Sequence, residues 1–249
     1  GTVCFSATME PLEEMKRLMG GEAEDACFSA PSPFPPEHLL VLHAPLNVRY
    51  AARERSMPAI CALIREMVEG RKGKYIVFFP SFAFLRLAAS SLEGQLVFQA
   101  QRNDMTQAER EAFLLPYREG VEPVLSLCVL GGLFAEGIDL PGRCLDGVMI
   151  VGVGLPQVGP EQEALKTWYE EHMGQGFLYA YQIPGMQKVA QAAGRVIRTS
   201  QDRGIVILVD DRFGQYAYRR LAPRDWQLQH GRLPQLLSAF WKEQENEPS

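Results

Sequence analysis

The stretch QKVAQAAGRVIRTSQDRGIVILVDDRF, residues 187–213, decides how this chain is read. At about 100° per residue, a helix from Gln187 to Arg198 gathers Gln187, Gln191, Gly194, Arg195 and Arg198 on one face, with Val189, Ala192, Ala193, Val196 and Ile197 on the other. One face is apolar and bound for a core; the other presents amide and guanidinium groups. Gly194 inside that helix costs about 1 kcal/mol relative to alanine, which suits a backbone that something approaches closely. Two forked, permanently charged donors one turn apart fit an anion with several oxygens, such as a polyphosphate. The plainer reading is a solvated face. The turn SQDRG and the apolar run Ile205 to Val209 follow directly, so the helix feeds a buried strand.

Working outward, short apolar runs alternate with helical patterns. Leu39 to His43, Tyr75 to Phe79, Gln95 to Gln99, Val124 to Leu130, Val148 to Val151 and Ile205 to Val209 read as strands, several without the alternation of a half-exposed sheet. Helices are expected at Met57 to Glu69, Phe82 to Ser91 and Thr106 to Tyr117. Strand and helix in turn imply an α/β fold with a mainly parallel sheet and helices on both faces. Pro160 to Met173, with Trp168 and Tyr169, reads as a helical excursion within about residues 155–185, and Leu233 to Trp241 as an amphipathic helix before a frayed tail. At the other end, Val3 to Phe5 reads as the end of a buried strand, followed by the small residues Ser6, Ala7 and Thr8. Glu10 to Met19 is helical, and the proline-rich FSAPSPFPP, residues 28–36, is a linker. Residues 1–30 are thus set apart from a main unit at 31–249.

A second informative stretch is GGLFAEGIDLPG, residues 131–142. Glycines after a parallel strand mark a loop whose backbone meets a ligand, and Gly131 and Gly132 open it, with Glu136, Gly137 and Asp139 behind them. A tight turn with solvated carboxylates is the alternative. In YIVFFPSF, residues 75–82, Ser81 stands at a helix N-terminus, where it can cap the helix and also receive a phosphate. VGVGLPQVG, residues 151–159, lacks the GxGxxG spacing and is interrupted by Pro156, so a dinucleotide site is excluded.

Composition narrows the field. A net charge of −5 argues against a chain that wraps nucleic acid unaided, so any such contact is a local patch. No apolar run approaches the roughly 20 residues needed to span a bilayer, and no charged segment precedes an apolar core at the start. A soluble, intracellular protein with no membrane partner is expected. Cysteines at 4, 27, 61, 128 and 144 stand singly, mostly within apolar runs, as buried free thiols in a reducing compartment do. His38, His43, His172 and His230 are not at ligand spacing, so no metal is expected.

As a cluster these residues resemble superfamily 2 helicases of the branch typified by XPD and DinG. Gln191, Arg195 and Arg198 match motif VI of that family, and Asp202, Gly204, Asp210, Arg212 and Phe213 match its trailing DxGxxxxxDxRF. The glycine loop resembles motif V, Tyr75 to Phe82 motif IV, and Ser6 to Thr8 motif III, so the resemblance runs from Ser6 to Phe213. It implies a RecA-like second motor lobe, in which the two arginines face the sheet edge that holds the glycine loop; arginines turned away from that edge would count against a motor. Arg195 and Arg198 would be arginine fingers on ATP, Gln191 would sense the same phosphate, and Glu136, Gly137, Asp139 and Gly194 would hold the nucleotide side. Ser81, Gly131, Gly132 and Thr8 would lie toward single-stranded DNA. Leu133 stands where relatives often carry a basic residue, a departure from the pattern.

The sequence has no GxxxxGK[ST] loop and no DEAH-like acid cluster. ATP and Mg²⁺ would therefore be bound mainly by the first lobe of the same polypeptide, with no metal or iron–sulfur cluster in this chain. The chain by itself would be monomeric and inactive. Two other readings are a non-catalytic RecA-like interaction module and an ATPase of another P-loop class. A scaffold has no need of three such polar groups on one face, and the second lacks a phosphate loop.

Overall fold

The computed structural model describes the chain apart from residues 1, 7, 8, 10, 122, 133, 135–144 and 246–249. Among the described residues seven strands form a single sheet: β1 (Leu39–Ala44), β2 (Lys74–Phe79), β3 (Gln99–Ala100), β4 (Val124–Val129), β5 (Gly147–Val151), β6 (Gly204–Val209) and β7 (Leu228–Gln229), in the order β3-β4-β2-β5-β6-β1-β7. Every pairing is parallel. The helices, in chain order, are α1 (Leu12–Leu18), α2 (Arg53–Gly70), α3 (Phe82–Leu92), α4 (Gln107–Arg118), α5 (Pro160–Met173), α6 (Ile183–Ala193), α7 (Tyr216–Arg219) and α8 (Leu233–Glu245).

The central strands are buried on both faces, which is why their sequences are apolar without alternation. Successive residues point to opposite layers. Leu40, Val77, Met149 and Ile207 meet α2, α3 and α8 through Ile60, Ile64, Leu85 and Leu237. Val41, Phe78, Ile150 and Leu208 meet α4 and α6 through Phe113, Tyr117, Val189 and Ala192. Each large side chain removed from water contributes roughly 1.5–3 kcal/mol, so the register is set from both sides.

Three expectations are corrected. Val3 and Phe5 are 87% and 90% exposed and form no strand, because this chain offers them no neighbouring strand to pair with. The strand expected at Gln95–Gln99 shrinks to Gln99–Ala100, two residues on the sheet edge pairing with Ser126 and Leu127. Cys4 and Cys27 are exposed, since both lie on the stretch that precedes the sheet, whereas Cys61 and Cys128 are buried and burial pushes both thiols up. The first thirty residues do touch the main unit: Met15 and Leu18 of α1 pack on the core beside α6, and Glu14 faces Arg220 at 3.4 Å.

Candidate functional site

Because all strands run the same way, their carboxyl ends share one edge. Ser81 follows β2 there, and its Oγ accepts the Phe84 N–H at 3.3 Å, capping α3. Leu130 continues β4 by bonding Phe79 O at 2.8 Å, and the chain then turns at Gly131, whose φ is +73°. A Cβ on Gly131 would lie 2.9 Å from Lys188 Cδ and 3.3 Å from its Nζ, so the α6 lysine lies directly over the glycine. Gly132 abuts Gln101, whose Oε1 accepts the Val129 N–H at 2.8 Å. Ser81, Gly131 and Gly132 are therefore gathered at the carboxyl edge, joined by Lys188 and Gln101.

The same edge explains the two glycines of VGVG. A Cβ on Gly154 would lie 2.7 Å from Gly185 O, and one on Gly185 would lie 2.6 Å from Val153 O. The pair lets α6 start directly against the exit of β5, after a single π-helical turn at Leu178–Gln182. Beside them Asp210, fully buried after β6, accepts Arg212 Nε at 2.9 Å and Nη2 at 2.7 Å. His43 Nε2 meets Asp210 O at 2.8 Å, and its ring lies edge-on to His230 with centroids 5.0 Å apart. Asp210, Arg212 and Phe213 thus lock the chain where it leaves the sheet.

From Gly185, α6 runs back along the sheet and ends at Ala193. Gly194 is its C-cap, with φ −63°, and Arg195 to Arg198 lie on the turn beyond. The continuous helix to Arg198 expected from periodicity is thus corrected, and Gly194 carries no mid-helix cost. Two features stop the helix. The chain has reached the amino edge and must enter β6 at Gly204, where Val196 packs so tightly that a Cβ on Gly204 would collide with it. Asp202, 5% exposed, also takes the Arg198 N–H at 2.9 Å and the Thr199 N–H at 2.7 Å, offering the backbone an alternative to the helical ladder.

The division into faces nevertheless holds. Val189, Ala192, Ala193, Val196 and Ile197 are buried; Gln191, Gly194 and Arg198 are exposed and Arg195 is half-buried. The expectation that the arginines face the edge of the glycine loop is corrected. Arg195 and Arg198 sit at the amino end of the sheet and Gly131 and Gly132 at the carboxyl end, because a helix between parallel strands must cross the whole sheet. Thr8, Glu136, Gly137 and Asp139 lie outside the described residues, as does Leu133. Among the described residues no group of three or more His, Cys, Asp or Glu could hold a metal ion, and no helix is long and apolar enough to cross a membrane. Sequence reasoning singled out neither Lys188 nor Gln101, and only topology brings them to the glycines. It matched Asp202 to the motif without seeing its task, although an acid in a polar turn before a glycine is a usual signal for backbone capping.

This parallel sheet covered on both faces is the RecA-like lobe of helicases. An XPD helicase structure superposes with a TM-score of 0.62 over 87% of this chain and 37% of that one, at 18% identity. S. cerevisiae Dbp5 bound to RNA and ADP BeF3 gives 0.51 over 84% and 46%, at 16% identity. At such identities the likeness concerns the fold. Residues 64–229 match the helicase C-terminal domain family, and the chain belongs to that family, in the DinG/XPD branch of superfamily 2. ATP-dependent DNA helicase chl1 of Schizosaccharomyces pombe is 25% identical over 87% of this chain, and ATP-dependent DNA helicase DinG of Photobacterium profundum 25% identical over 85%. The chain spans only 29% and 32% of those two proteins.

Proposed function

We propose that this chain is the second motor lobe of an ATP-dependent DNA helicase, acting on ATP carried by a first lobe of the same polypeptide and on single-stranded DNA. The observation that carries the reading is the polar turn itself. Gln191, Gly194 and Arg198 face solvent at the end of an otherwise buried helix, and the Asp202 carboxylate fixes the backbone of that turn. A turn held rigid at the solvent-facing end of a helix can present its guanidinium groups to a ligand that arrives from outside the chain.

In this reading Arg195 and Arg198 donate to the γ-phosphate as charge builds up in the transition state, and Gln191 senses the same group. Mg²⁺, bound with ATP mainly by the first lobe, neutralises phosphate charge. Gly194, which has no side chain, lets the nucleotide come close to the turn, and Glu136, Gly137 and Asp139 are assigned to the nucleotide by their motif. At the opposite edge the backbone at Gly131 and Gly132 and the N-terminus behind Ser81 face DNA phosphates, and Thr8 is assigned to the same ligand by its motif; backbone amides make such contacts without a side chain. Lys188 above Gly131 supplies a positive charge that Leu133 does not, which suits an acidic chain needing only a local patch. Both edges are joined by α6, so closure on ATP at one end reaches the DNA grip at the other. The names of the relatives and the family support this reading.

The test uses the full-length protein with Arg198→Ala. DNA-stimulated ATP turnover is expected to fall by about three powers of ten or more, and turnover within a few-fold of normal rejects the finger assignment. The 249-residue chain alone is expected to show no ATPase, and activity there rejects the division of labour between lobes.

A further inference from the structure

Beyond the glycines and Ser81, the carboxyl edge carries an aromatic ring and a cation that the reading above does not use. After β1 the chain passes through a tight loop before α2. Arg49 in that loop pairs with Asp211 at 2.9 Å, and the Asp211 N–H bonds Leu46 O at 3.0 Å, so the loop is stapled to the exit of β6. On it Tyr50 is 84% exposed. The Arg53 guanidinium lies 5.2 Å from the Tyr50 ring centroid and 4.8 Å from that of Phe84, in the first turn of the helix that Ser81 caps. Arg53 Nε is buried without a hydrogen-bond partner.

An exposed tyrosine alone is unremarkable on a protein surface. This one is braced from behind by a guanidinium, held on a loop tied down at both ends, and set beside the proposed phosphate site at Ser81. An exposed ring binds any base, since every base has a π-face, and a neighbouring guanidinium suits the backbone phosphate. We infer that Tyr50 is a stacking platform for one base of a single-stranded nucleic acid, with Arg53 engaging the adjoining phosphate. This extends the strand track across the carboxyl edge from Gly131 past Ser81 to the end of β1. The inference rests on the nucleic-acid side of the reading above.

The experiment measures binding of a fluorescent oligothymidylate, and of the same strand with abasic sites, to the full-length protein without nucleotide. Tyr50→Ala is expected to weaken binding to the normal strand by about tenfold and to leave the abasic strand within twofold. Tyr50→Phe is expected to bind as the parent does. Arg53→Gln, which keeps a long stem against Phe84, is expected to lower the slope of log affinity against log salt by about 0.7, one phosphate contact on a single strand. Tyr50→Ala binding within twofold of the parent, or an equal loss on the abasic strand, overturns the platform, and an unchanged salt slope overturns the role of Arg53. Failure of the parent protein to bind oligothymidylate rejects the nucleic-acid reading itself and this inference with it.

Discussion

The two ends of the sheet expose different chemistry. At the carboxyl edge the exposed chemistry is mostly backbone: Gly131 at φ +73°, Gly132, and the helix start capped by Ser81. At the amino edge it is mostly side chain, Gln191 in the last turn of α6 and Arg195 and Arg198 on the turn beyond, braced by Asp202. Backbone amides recognise what every nucleotide of a strand shares, whereas forked guanidinium groups discriminate charge and geometry at one place. In the function proposed above, a track that must slide and a trigger that must fire once per cycle call for these different materials. The helix α6 joins them, with Lys188 over Gly131 and Gly194 at the far end.

The sharpest way to break this contrast is Arg195→Lys in the full-length protein, which keeps the charge and loses the fork. DNA-stimulated ATP turnover is expected to fall by about a hundredfold or more, with nucleotide-free binding to single-stranded DNA within twofold of the parent. Equal loss of both would mean that the edges are not separable. Next in size is Gly185→Ala. Its Cβ would lie 2.6 Å from Val153 O and 3.1 Å from Gly154 C, so backbone must move and about 1–3 kcal/mol of stability should be lost, read as a lower urea midpoint. Because α6 serves both edges, DNA affinity and turnover should decline together; loss of only one would show that the helix does not couple them. Asp202→Ala should cost about 1 kcal/mol, as loss of a backbone cap does. It should depress turnover by unpinning the Arg198 turn while DNA affinity stays within twofold; unchanged turnover and urea midpoint would remove Asp202 from the site.

Much of this was legible in the sequence, for identifiable reasons. The doubly buried strands β2, β5 and β6 announce themselves as unbroken apolar runs, and α5 falls where Pro160 starts it and Gly174 stops it. The faces of the 187–198 segment were legible because burial follows apolarity whether or not the helix continues. Its end was not, because the stop comes from contacts distant in sequence, Val196 against Gly204 and the Asp202 carboxylate on two amides. Nor could local pattern separate the two edges. Crossing direction is a property of the whole sheet, and it sends the arginines away from the glycine loop that precedes them in the chain.

The smallest predicted effect concerns the carboxyl side of the sheet beyond β3, where α4 begins. Glu109 accepts the Thr106 N–H at 2.7 Å and the Thr106 hydroxyl at 2.9 Å, Thr106 Oγ1 receives the Glu109 N–H at 3.3 Å, and Arg102 pairs with the same carboxylate. The backbone bond from Thr106, then Arg102 and the Thr106 hydroxyl, hold the Glu109 carboxyl down to about 2. A depressed folded-state value stabilises the fold above the unfolded value of about 4.3, and that contribution fades as pH falls from there through about 2. In a carboxyl-carbon NMR titration Glu109 should therefore stay ionised at about pH 3.5, where an ordinary glutamate is mostly protonated. Glu109→Gln should remove this low-pH resistance while leaving ATP turnover within twofold, since the cap touches neither the arginine turn nor Ser81. A midpoint near the ordinary glutamate value would mean that the cap is open in solution, and α4 would then owe its start to the burial of Phe113 and Tyr117 alone.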